Sequence, residues 1–397
     1  MALITTHGSL AIALLSYSTK PRGSVVHTLS LAEALAEAGQ RVTVWTLGRG
    51  GDSTFFRPID PRVTVRIAPF PDVAGEKIGP RVLRSIQVLA DAFDPAGYDV
   101  VHAQDCISAN AADHCIRTVH HIDHFSTPEL AACHERAIKD PFAHVCVSAA
   151  VATELRAGWG ITAEVIPNGV DAQRFSDAVG TAAHQQWRSQ LGRYVLAVGG
   201  IEPRKGSLEL LDAYALVHKH LPDVQLVIAG GETLFDYQDY RTRWEQRTAA
   251  LQVEPVVLGP VTHDTLPALV AAAGVFAFPS IKEGFGLAAM EALAAGVPLV
   301  MSNLPVLREI FSGAARFADD PAELATHLRA SLAKPDQTAR DTGRALAARY
   351  TWSAAAQRHL TFYQRLVDLR RAPEEPRPLI EHLQPLTILD DMRPSRQ

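Results

Sequence analysis

The chain contains 397 residues, 47% of them hydrophobic and 20% charged, with a formal net charge of −5. A chain of this length is too long to fold around one ordinary hydrophobic core, which favours two domains of about 150 to 200 residues each. The composition is typical of globular proteins and argues against a disordered chain. The acidic balance argues against a nucleic-acid-binding protein, which usually carries a strong excess of basic residues.

The cysteines and the hydropathy pattern bear on location. Cys106, Cys115, Cys133 and Cys146 match no zinc-site spacing, which favours reduced, mostly buried thiols over a disulfide framework. No apolar run reaches about 18 residues, so no membrane-spanning helix is expected. The N-terminal residues lack the features of a secretion signal. We therefore expect a cytoplasmic protein with at most peripheral membrane contact.

Predicted strands and helices alternate along the chain. Short runs rich in Val, Ile and Leu are separated by stretches of helical period, which indicates βα units and parallel sheets. In the first half the predicted strands cover residues 10–15, 42–46, 63–67, 100–102, 118–120 and 144–147. The pattern then restarts, with predicted strands at residues 194–198, 225–229, 255–258, 275–278 and 299–301.

The chain is predicted to form two domains and a C-terminal extension. A turn signal at residues 167–169 is followed by a polar, Ala-rich segment, so the linker is placed between residues 167 and 192. The predicted fold class is α/β, with Rossmann-like, doubly wound domains at residues 1–175 and 176–352 facing across a cleft. A helix at 353–372 is expected to pack back towards the first domain, before a Pro-rich tail at 373–397. Ligands of such sheets bind beyond the carboxyl ends of the strands.

The strongest candidate for a binding segment covers residues 278–291, where a buried strand leads through a turn into a helix. Gly284 and Gly286 allow the backbone to approach a ligand, and the helix N-terminus offers free N–H groups suited to a diphosphate. On the helix, Glu291 is placed to accept hydrogen bonds from ribose hydroxyls, as acidic residues do in dinucleotide folds. The structural alternative is a helix cap with incidental acids.

A second candidate segment, residues 199–206, follows the first strand of the second domain. Arg204 and Lys205 stand where a loop meets a helix and are candidates to hold a leaving diphosphate by charge-assisted hydrogen bonds. A solvated helix start is the alternative for a basic pair of this kind. Because both candidate segments follow strands of one sheet, they are expected to lie side by side.

Residues 194–310 resemble the donor-binding domain of the retaining GT-B glycosyltransferases of family 4. The resemblance rests on the Glu-Pro-Arg-Lys-Gly loop at 202–206, residues 228–231, 258–259, the Glu-Gly-Phe-Gly…Glu segment at 283–291, residues 291–298, and Ser302-Asn303 with Glu309. The first half is similar more loosely, through residues 99–102, 118–120 and 165–171. The resemblance therefore extends over nearly the whole chain to about residue 371.

The resemblance implies roles for individual residues. It assigns Arg204 and Lys205 to the donor diphosphate, Glu291 to the ribose, and His120 to the transferred sugar. It assigns Glu283 and the amides of Gly284, Phe285, Gly286 and Leu287 to contacts with the sugar and the phosphates. Finally, it places the backbone of Leu258, Gly259 and Val261 beside the base, and it brings to the donor three loop glycines, Gly23, Gly199 and Gly231.

The sequence departs from the family pattern in two places. The first loop reads Lys20-Pro-Arg-Gly-Ser24, where the family commonly has two adjacent glycines, and Arg22 is a candidate to compensate. Many members carry Arg at the position of Gly200, so Arg204 must supply that charge here. The donor domain should therefore keep its cationic character although one basic position differs.

The expected reaction is transfer of a sugar from a nucleotide-diphosphate sugar to a small-molecule, glycan or lipid-linked acceptor. Retention of anomeric configuration is implied by the resemblance. The chain contains no Asp-x-Asp pair, so fixed cations are expected to hold the leaving group, with no metal and no cofactor. An inactive nucleotide-sugar-binding or regulatory protein is the alternative. A dinucleotide oxidoreductase is disfavoured, because no Gly-x-Gly-x-x-Gly follows the first strand.

Three further segments allow other interpretations. His120, His121 and His124, with His102 and His134, suggest a metal cluster, although adjacent strand residues point to opposite faces. Residues 77–93 form an amphipathic pattern that suits either core packing or contact with a membrane or a lipid-linked acceptor. Aromatic residues at 234–240 suit either stacking on the donor or anchoring of the next helix.

Overall fold

The computed structural model describes residues 8–123, 125, 127–231, 237–334 and 336–371. Two wholly parallel sheets are present, which confirms the predicted fold class. The first sheet has seven strands in the order β3-β2-β1-β4-β5-β6-β7. These strands are β1 Ala11–Leu15, β2 Arg41–Arg49, β3 Thr64–Phe70, β4 Val100–Ala103, β5 Ile116–Val119, β6 Ala143–Cys146 and β7 Glu164–Val165.

Helices connect most of the strands of the first sheet, as is usual for parallel connections, whereas β2 and β3 are joined by residues 50–63 without a helix. The helices are α1 Gly23–Glu37, α2 Ile78–Ala92, α3 Cys106–Ala111, α4 Pro128–Lys139 and α5 Ala149–Trp159. The amphipathic pattern at residues 77–93 corresponds to α2, where Val82 and Leu89 are buried. Core packing therefore accounts for these two apolar positions of α2.

The second sheet has six strands in the order β10-β9-β8-β11-β12-β13. They are β8 Arg193–Val198, β9 Val224–Ala229, β10 Val256–Gly259, β11 Val275–Phe278, β12 Leu299–Ser302 and β13 Arg316–Ala318. The helices of this half are α6 Ala172–Asp177, α7 Ala182–Leu191, α8 Ser207–His218, α9 Gln238–Leu251, α10 Leu266–Ala272, α11 Leu287–Ala294, α12 Pro305–Phe311, α13 Pro321–Ala333 and α14 Gln337–Ala347. The edge strands β7 and β13 are absent from the sequence prediction because they are too short to show a pattern.

The segment predicted as a linker contains α6 and α7, which pack against α10 and α11 of the second domain. Asp171 and Thr181 accept hydrogen bonds from backbone N–H groups at the starts of these helices. Phe175 and Leu191 are buried in the core of the second domain. The chain therefore enters the second domain at about residue 170.

The last described helix, α15 (Trp352–Arg371), returns to the first domain. It packs against α1 and contributes Phe362, Tyr363 and Val367 to the core of that domain. The hydroxyl of Tyr363 lies 2.6 Å from Nδ1 of His102 on β4. The predicted Pro-rich tail at 373–397 lies outside the described residues.

Two contacts fix how the domains meet. Both carboxylate oxygens of Glu309, on α12, accept hydrogen bonds of 2.8 Å from the amides of Ala149 and Ala150, at the start of α5 in the other domain. At Gly284 a Cβ atom would overlap the carbonyl oxygen of His120, so only glycine allows this approach. The four cysteines are free thiols. Among the described residues, no helix is long and apolar enough to cross a membrane.

Candidate active site

A cleft of about 1900 Å³ separates the two domains and is lined by residues of both. It lies at the carboxyl ends of the strands in each sheet, the place where such sheets bind ligands. The structure brings most of the sequence-predicted residues to this cleft: Gly23, His120, Gly199, Arg204, Lys205, Gly231, Val261, Glu283, Gly284, Phe285, Gly286, Leu287 and Glu291. Leu258 and Gly259 do not line it.

A short 3-10 turn, Pro203–Lys205, positions the two predicted cationic side chains. The turn ends at Gly206, whose φ of 62° is left-handed and whose Cα packs directly against the carbonyl of Pro279. Any side chain at this position would force the two loops apart. The close packing of the 199–206 and 278–291 segments thus brings Arg204 and Lys205 to the same carboxylate.

That carboxylate belongs to Glu283. Its Oε1 atom accepts a hydrogen bond of 2.5 Å from Nζ of Lys205 and one of 3.0 Å from Nη1 of Arg204. The hydroxyl of Ser280 donates a third, at 3.1 Å. Burial favours the protonated acid, but Lys205 and Arg204 outweigh it and bring the pKa of Glu283 to about 2. The carboxylate therefore stays ionised and holds both cations in place.

Arg204 has a second acidic partner that the sequence interpretation missed. Nη2 of Arg204 donates a hydrogen bond of 3.1 Å to Oε1 of Glu202, which is 9% exposed. Nζ of Lys205 also lies 5.1 Å from the centre of the Phe278 ring. The cations are thus fixed by carboxylates and an aromatic ring before any ligand arrives. This arrangement suits an anion because the donors need no reorganisation to receive it.

Helix α11 points its N-terminus into the cleft beside the cations. Gly286 precedes the helix with a φ of 97°, a left-handed conformation that glycine adopts without strain. No side chain caps this end, so its N–H groups remain available for an anion. The side chain of Phe285 is buried against Tyr350, with ring centres 5.6 Å apart. Only the backbone of Phe285 can therefore contribute to binding.

Glu291 lies one turn into α11 and lines the same cleft. Burial raises its pKa to about 7, although the nearby Arg174 partly opposes the shift. The guanidinium of Arg174 donates a hydrogen bond to the carbonyl oxygen of His263. Arg174 falls in the segment predicted as a linker, so the sequence interpretation gave it no role. In its ionised form, this carboxylate can accept hydrogen bonds from hydroxyl groups.

His120 faces the donor segment from the first domain. Burial, with the charges of His121 and Arg117, lowers its pKa to about 3, so the imidazole is neutral at neutral pH. Its ring lies 4.8 Å from that of His27, which in turn lies 2.8 Å from Oδ1 of Asn168. Neutral imidazoles offer hydrogen bonds without charge, which suits contact with a sugar.

The alternative of a metal cluster finds no support among the described residues. None of them form a group of three or more His, Cys, Asp or Glu side chains able to hold an ion. His102 is engaged by the hydroxyls of Tyr363 and Thr118, at 2.6 and 2.8 Å. His124 lies outside the described residues, as does Phe235 of the aromatic segment at 234–240. Tyr240 of that segment is buried, and its hydroxyl accepts a hydrogen bond of 3.1 Å from the amide of Leu208, which supports anchoring of the helix.

The loop that departs from the family pattern leads directly into α1. Arg22 precedes the helix, Gly23 is its first residue, and both line the cleft opposite the second domain. Lys20 forms an ion pair of 2.8 Å with Asp52, whose carboxylate also accepts a hydrogen bond from Thr19. Asp52 thus orders the loop. Arg22 has no side-chain hydrogen bond to any other described residue, which leaves its guanidinium available to a ligand.

Leu258 and Gly259 are placed differently from the prediction. They end the edge strand β10, where Gly259 turns with a φ of 70° and its carbonyl oxygen accepts a hydrogen bond from Gly230. The turn directs Pro260 and Val261 into the cleft instead. Of the backbone predicted to contact the base at residues 258–261, the second half therefore lines the cleft.

The chain is similar to known protein families and to named enzymes over most of its length. The family "Glycosyl transferases group 1" matches residues 181–345, and "Glycosyltransferase Family 4" matches residues 21–174. The chain is 29% identical to the D-inositol 3-phosphate glycosyltransferase of Pseudarthrobacter chlorophenolicus, over 90% of this chain and 96% of that protein. It is 28% identical to the phosphatidyl-myo-inositol mannosyltransferase of Mycobacterium tuberculosis, over 87% of this chain and 93% of that protein.

Solved structures share the fold. Sucrose-phosphate synthase from Thermosynechococcus elongatus has a TM-score of 0.73 at 21% identity, covering 91% of this chain and all of that one. Anabaena HepE, solved with UDP and glucose, has a TM-score of 0.68 at 21% identity, covering 92% and 100% of the two chains. Fold, site and relatives together define a glycosyltransferase with two facing parallel-sheet domains, the GT-B class. Within that class, the chain belongs to glycosyltransferase family 4.

Proposed function

We propose that this enzyme transfers a sugar from a nucleotide-diphosphate sugar to an acceptor hydroxyl, with retention of anomeric configuration and without a metal ion. The observation that carries the proposal is the convergence of Arg204 and Lys205 on Glu283 beside the free N-terminus of α11. Two fixed cations and exposed amides in one place form a seat for a diphosphate. The proposed site residues are those predicted from the sequence, with Pro260 added and with Leu258 and Gly259 left out.

In the proposed reaction the bond between the anomeric carbon and the phosphate oxygen breaks while the diphosphate stays bound to Arg204 and Lys205. The acceptor oxygen forms its bond on the same face of the sugar, and its proton passes to an oxygen of the departing phosphate. No protein nucleophile is needed along this path. The neutral imidazole of His120 lines the sugar, and the carboxylate of Glu291 accepts hydrogen bonds from the ribose. The N–H groups of α11 disperse the charge that develops on the leaving group.

The proposed lack of a metal requirement follows from charge balance at the leaving group. A leaving nucleoside diphosphate must be neutralised either by a divalent ion or by fixed positive groups. Here Arg204 and Lys205 are already aligned, and Arg22 offers a further guanidinium from the first domain. Glu283 neutralises part of the positive charge of Arg204 and Lys205. It also holds these two side chains together against their mutual repulsion.

The proposal is tested by incubating the full chain with a panel of UDP-, GDP- and ADP-sugars in excess EDTA. We expect one donor to raise the melting temperature by mass action and to be hydrolysed slowly without acceptor. NMR of the first sugar product should show the donor's own anomeric configuration. A protein that binds a nucleotide sugar but never turns it over would instead be the inactive binding protein. A cytoplasmic location stays a prediction, which fractionation of the source cells tests.

A further inference from the structure

Polar side chains without partners cluster at the carboxyl ends of β4 and β5, in the first domain. Gln104 is fully buried, and neither its Oε1 nor its Nε2 atom has a hydrogen-bond partner among the described residues. Arg117 is only 4% exposed, and its Nε and Nη1 atoms also lack partners there. Asp105 accepts a hydrogen bond of 2.8 Å at Oδ1 from the amide of Ser108, but its buried Oδ2 has no hydrogen-bond partner in the described part of the chain.

These three residues line the wall of the cleft. Asp105 also caps α3, but no described residue uses the side-chain amide of Gln104 or the Nε and Nη1 atoms of Arg117. Each buried polar group without a partner costs on the order of 1–3 kcal/mol, so native proteins keep few of them. An apolar side chain of similar size at position 104 would fill the same space at no such cost. Their retention on neighbouring strands indicates that a molecule in the cleft supplies the missing partners.

The cluster lies next to the place where the transferred sugar must sit. β5 ends at Val119, and the carbonyl of His120 that follows packs directly against Gly284 of the donor segment. Arg117 precedes His120 on the same strand end and both line the cleft, so the cluster adjoins the part of the first domain that touches the donor segment. A molecule held by these side chains is therefore an acceptor poised beside the anomeric carbon.

The chemistry of the cluster matches hydroxyl groups. Arg117 offers donors, Oδ2 of Asp105 is an acceptor, and the Gln104 amide offers both, while each hydroxyl donates once and accepts twice. The charge of Arg117 acts on the carboxylate of Asp105, and a carboxylate in the same subsite repels a phosphate. Beside them, Tyr17, Ile107 and Leu130 present an apolar surface of the cleft suited to the C–H face of a ring.

We propose that Gln104, Asp105 and Arg117 form the acceptor subsite and bind an uncharged polyol, either a sugar or a cyclitol that presents adjacent hydroxyls. The inference rests on the proposed function, because it takes the donor to lie against the second domain. It goes further in assigning the acceptor's chemical class and the residues that select it. A phosphorylated acceptor is disfavoured by the same residues.

The test uses Gln104→Met and Arg117→Met in the full chain saturated with the nucleotide that binds. Thermal shift is titrated with myo-inositol, glucose and mannose, and with myo-inositol 1-phosphate, glucose 6-phosphate and mannose 6-phosphate. At least one uncharged probe should stabilise the wild type saturably, and each variant should weaken its binding about ten- to a hundredfold. Without any probe, Gln104→Met should melt at a higher temperature than the wild type, since it loses a buried unpaired amide.

The control variant is Gln225→Met, on β9. Oε1 of Gln225 is also buried without a partner in the described part of the chain, but this residue does not line the cleft. The control should change stability in the same direction and leave probe binding unaltered. A structural role for Gln104 would do the opposite, lowering the melting temperature of its variant without any selective effect on polyols.

Four results would overturn the inference. Three concern binding: no saturable stabilisation by any uncharged probe, tighter binding of the phosphorylated probe, and wild-type polyol affinity in both variants. The fourth is a lower melting temperature in Gln104→Met. Nucleotide binding and slow donor hydrolysis, measured on the same samples, separate this failure from failure of the proposed function. If they persist while the polyol results fail, only the acceptor assignment is wrong.

Discussion

The two walls of the cleft differ in how their polar groups are satisfied. On the second-domain wall, Arg204 and Lys205 are held by Glu283 at 3.0 and 2.5 Å, and Arg204 also contacts Glu202. On the first-domain wall, Gln104 and Arg117 are buried with unpartnered polar atoms among the described residues. We call the second-domain side the donor wall and the first-domain side the acceptor wall. The comparison indicates that the donor wall is organised before its ligand binds, whereas the polar groups of the acceptor wall find their partners only when its ligand binds. Preorganised charge favours turnover, while unsatisfied groups favour selectivity.

The largest expected effect comes from removing a cation of the donor wall. Lys205→Met should lower kcat about 100- to 1000-fold, as loss of one transition-state hydrogen-bond donor commonly does. The donor KM should change much less, because Arg204 and α11 still hold the ground state. Steady-state assays measure both constants. Lys219→Met, an exposed lysine just after α8, is the control and should keep wild-type kcat. Equal rates in the two variants would contradict a preorganised donor wall.

A smaller effect is expected where the walls touch. Gly284→Ala forces a methyl group against the carbonyl of His120, and such overpacking typically costs about 1–3 kcal/mol of unfolding free energy. Turnover should fall as well, because the donor segment moves away from the first domain. Denaturant titration and kinetics measure the two changes. Gly158→Ala, on α5 with open space around it, should be neutral or slightly stabilising. Unchanged stability and turnover in Gly284→Ala would show that the domains do not close this tightly.

The smallest of the expected effects concerns pH and the ribose contact. Burial raises the pKa of Glu291 to about 7, and only the ionised carboxylate can accept both ribose hydroxyls. Protonation therefore competes with donor binding, and the Kd of the nucleotide sugar should rise about tenfold per pH unit below 7. Calorimetry between pH 5.5 and about 8.5 measures this slope. Glu291→Gln should bind weakly at every pH and remove the slope. A wild-type affinity independent of pH would remove Glu291 from the ribose site.

The donor wall was predictable from sequence because its parts are local. Residues 199–206 and 278–291 each combine a strand end, glycines and charged side chains within one short segment, so a pattern is visible without knowledge of the fold. Parallel strands then bring the two segments together, since their carboxyl ends share one edge of the sheet. The pairing of Glu202 with Arg204 could also have been predicted from the sequence, because both residues lie in one turn.

The acceptor wall was not predictable in the same way. Gln104, Asp105 and Arg117 come from two strands, and their lack of partners is a property of the packed structure that no sequence pattern carries. Helices α6 and α7 were missed for a related reason. Phe175 and Leu191 are the buried apolar anchors of that polar segment, which is too few to produce a helical period. Leu258 and Gly259 were misplaced because the left-handed turn at Gly259 changes the direction of the backbone.

Binding of a nucleoside diphosphate in the presence and absence of divalent ions tests the central claim most directly. Isothermal titration calorimetry of the wild type with UDP, GDP and ADP, in excess EDTA and then in excess Mg²⁺ or Mn²⁺, gives the comparison. We expect one nucleotide to bind with nearly the same Kd in all conditions, and Lys205→Met to weaken that binding about tenfold or more. Binding that disappears in EDTA, returns with either metal ion and ignores the Lys205 substitution would contradict the account.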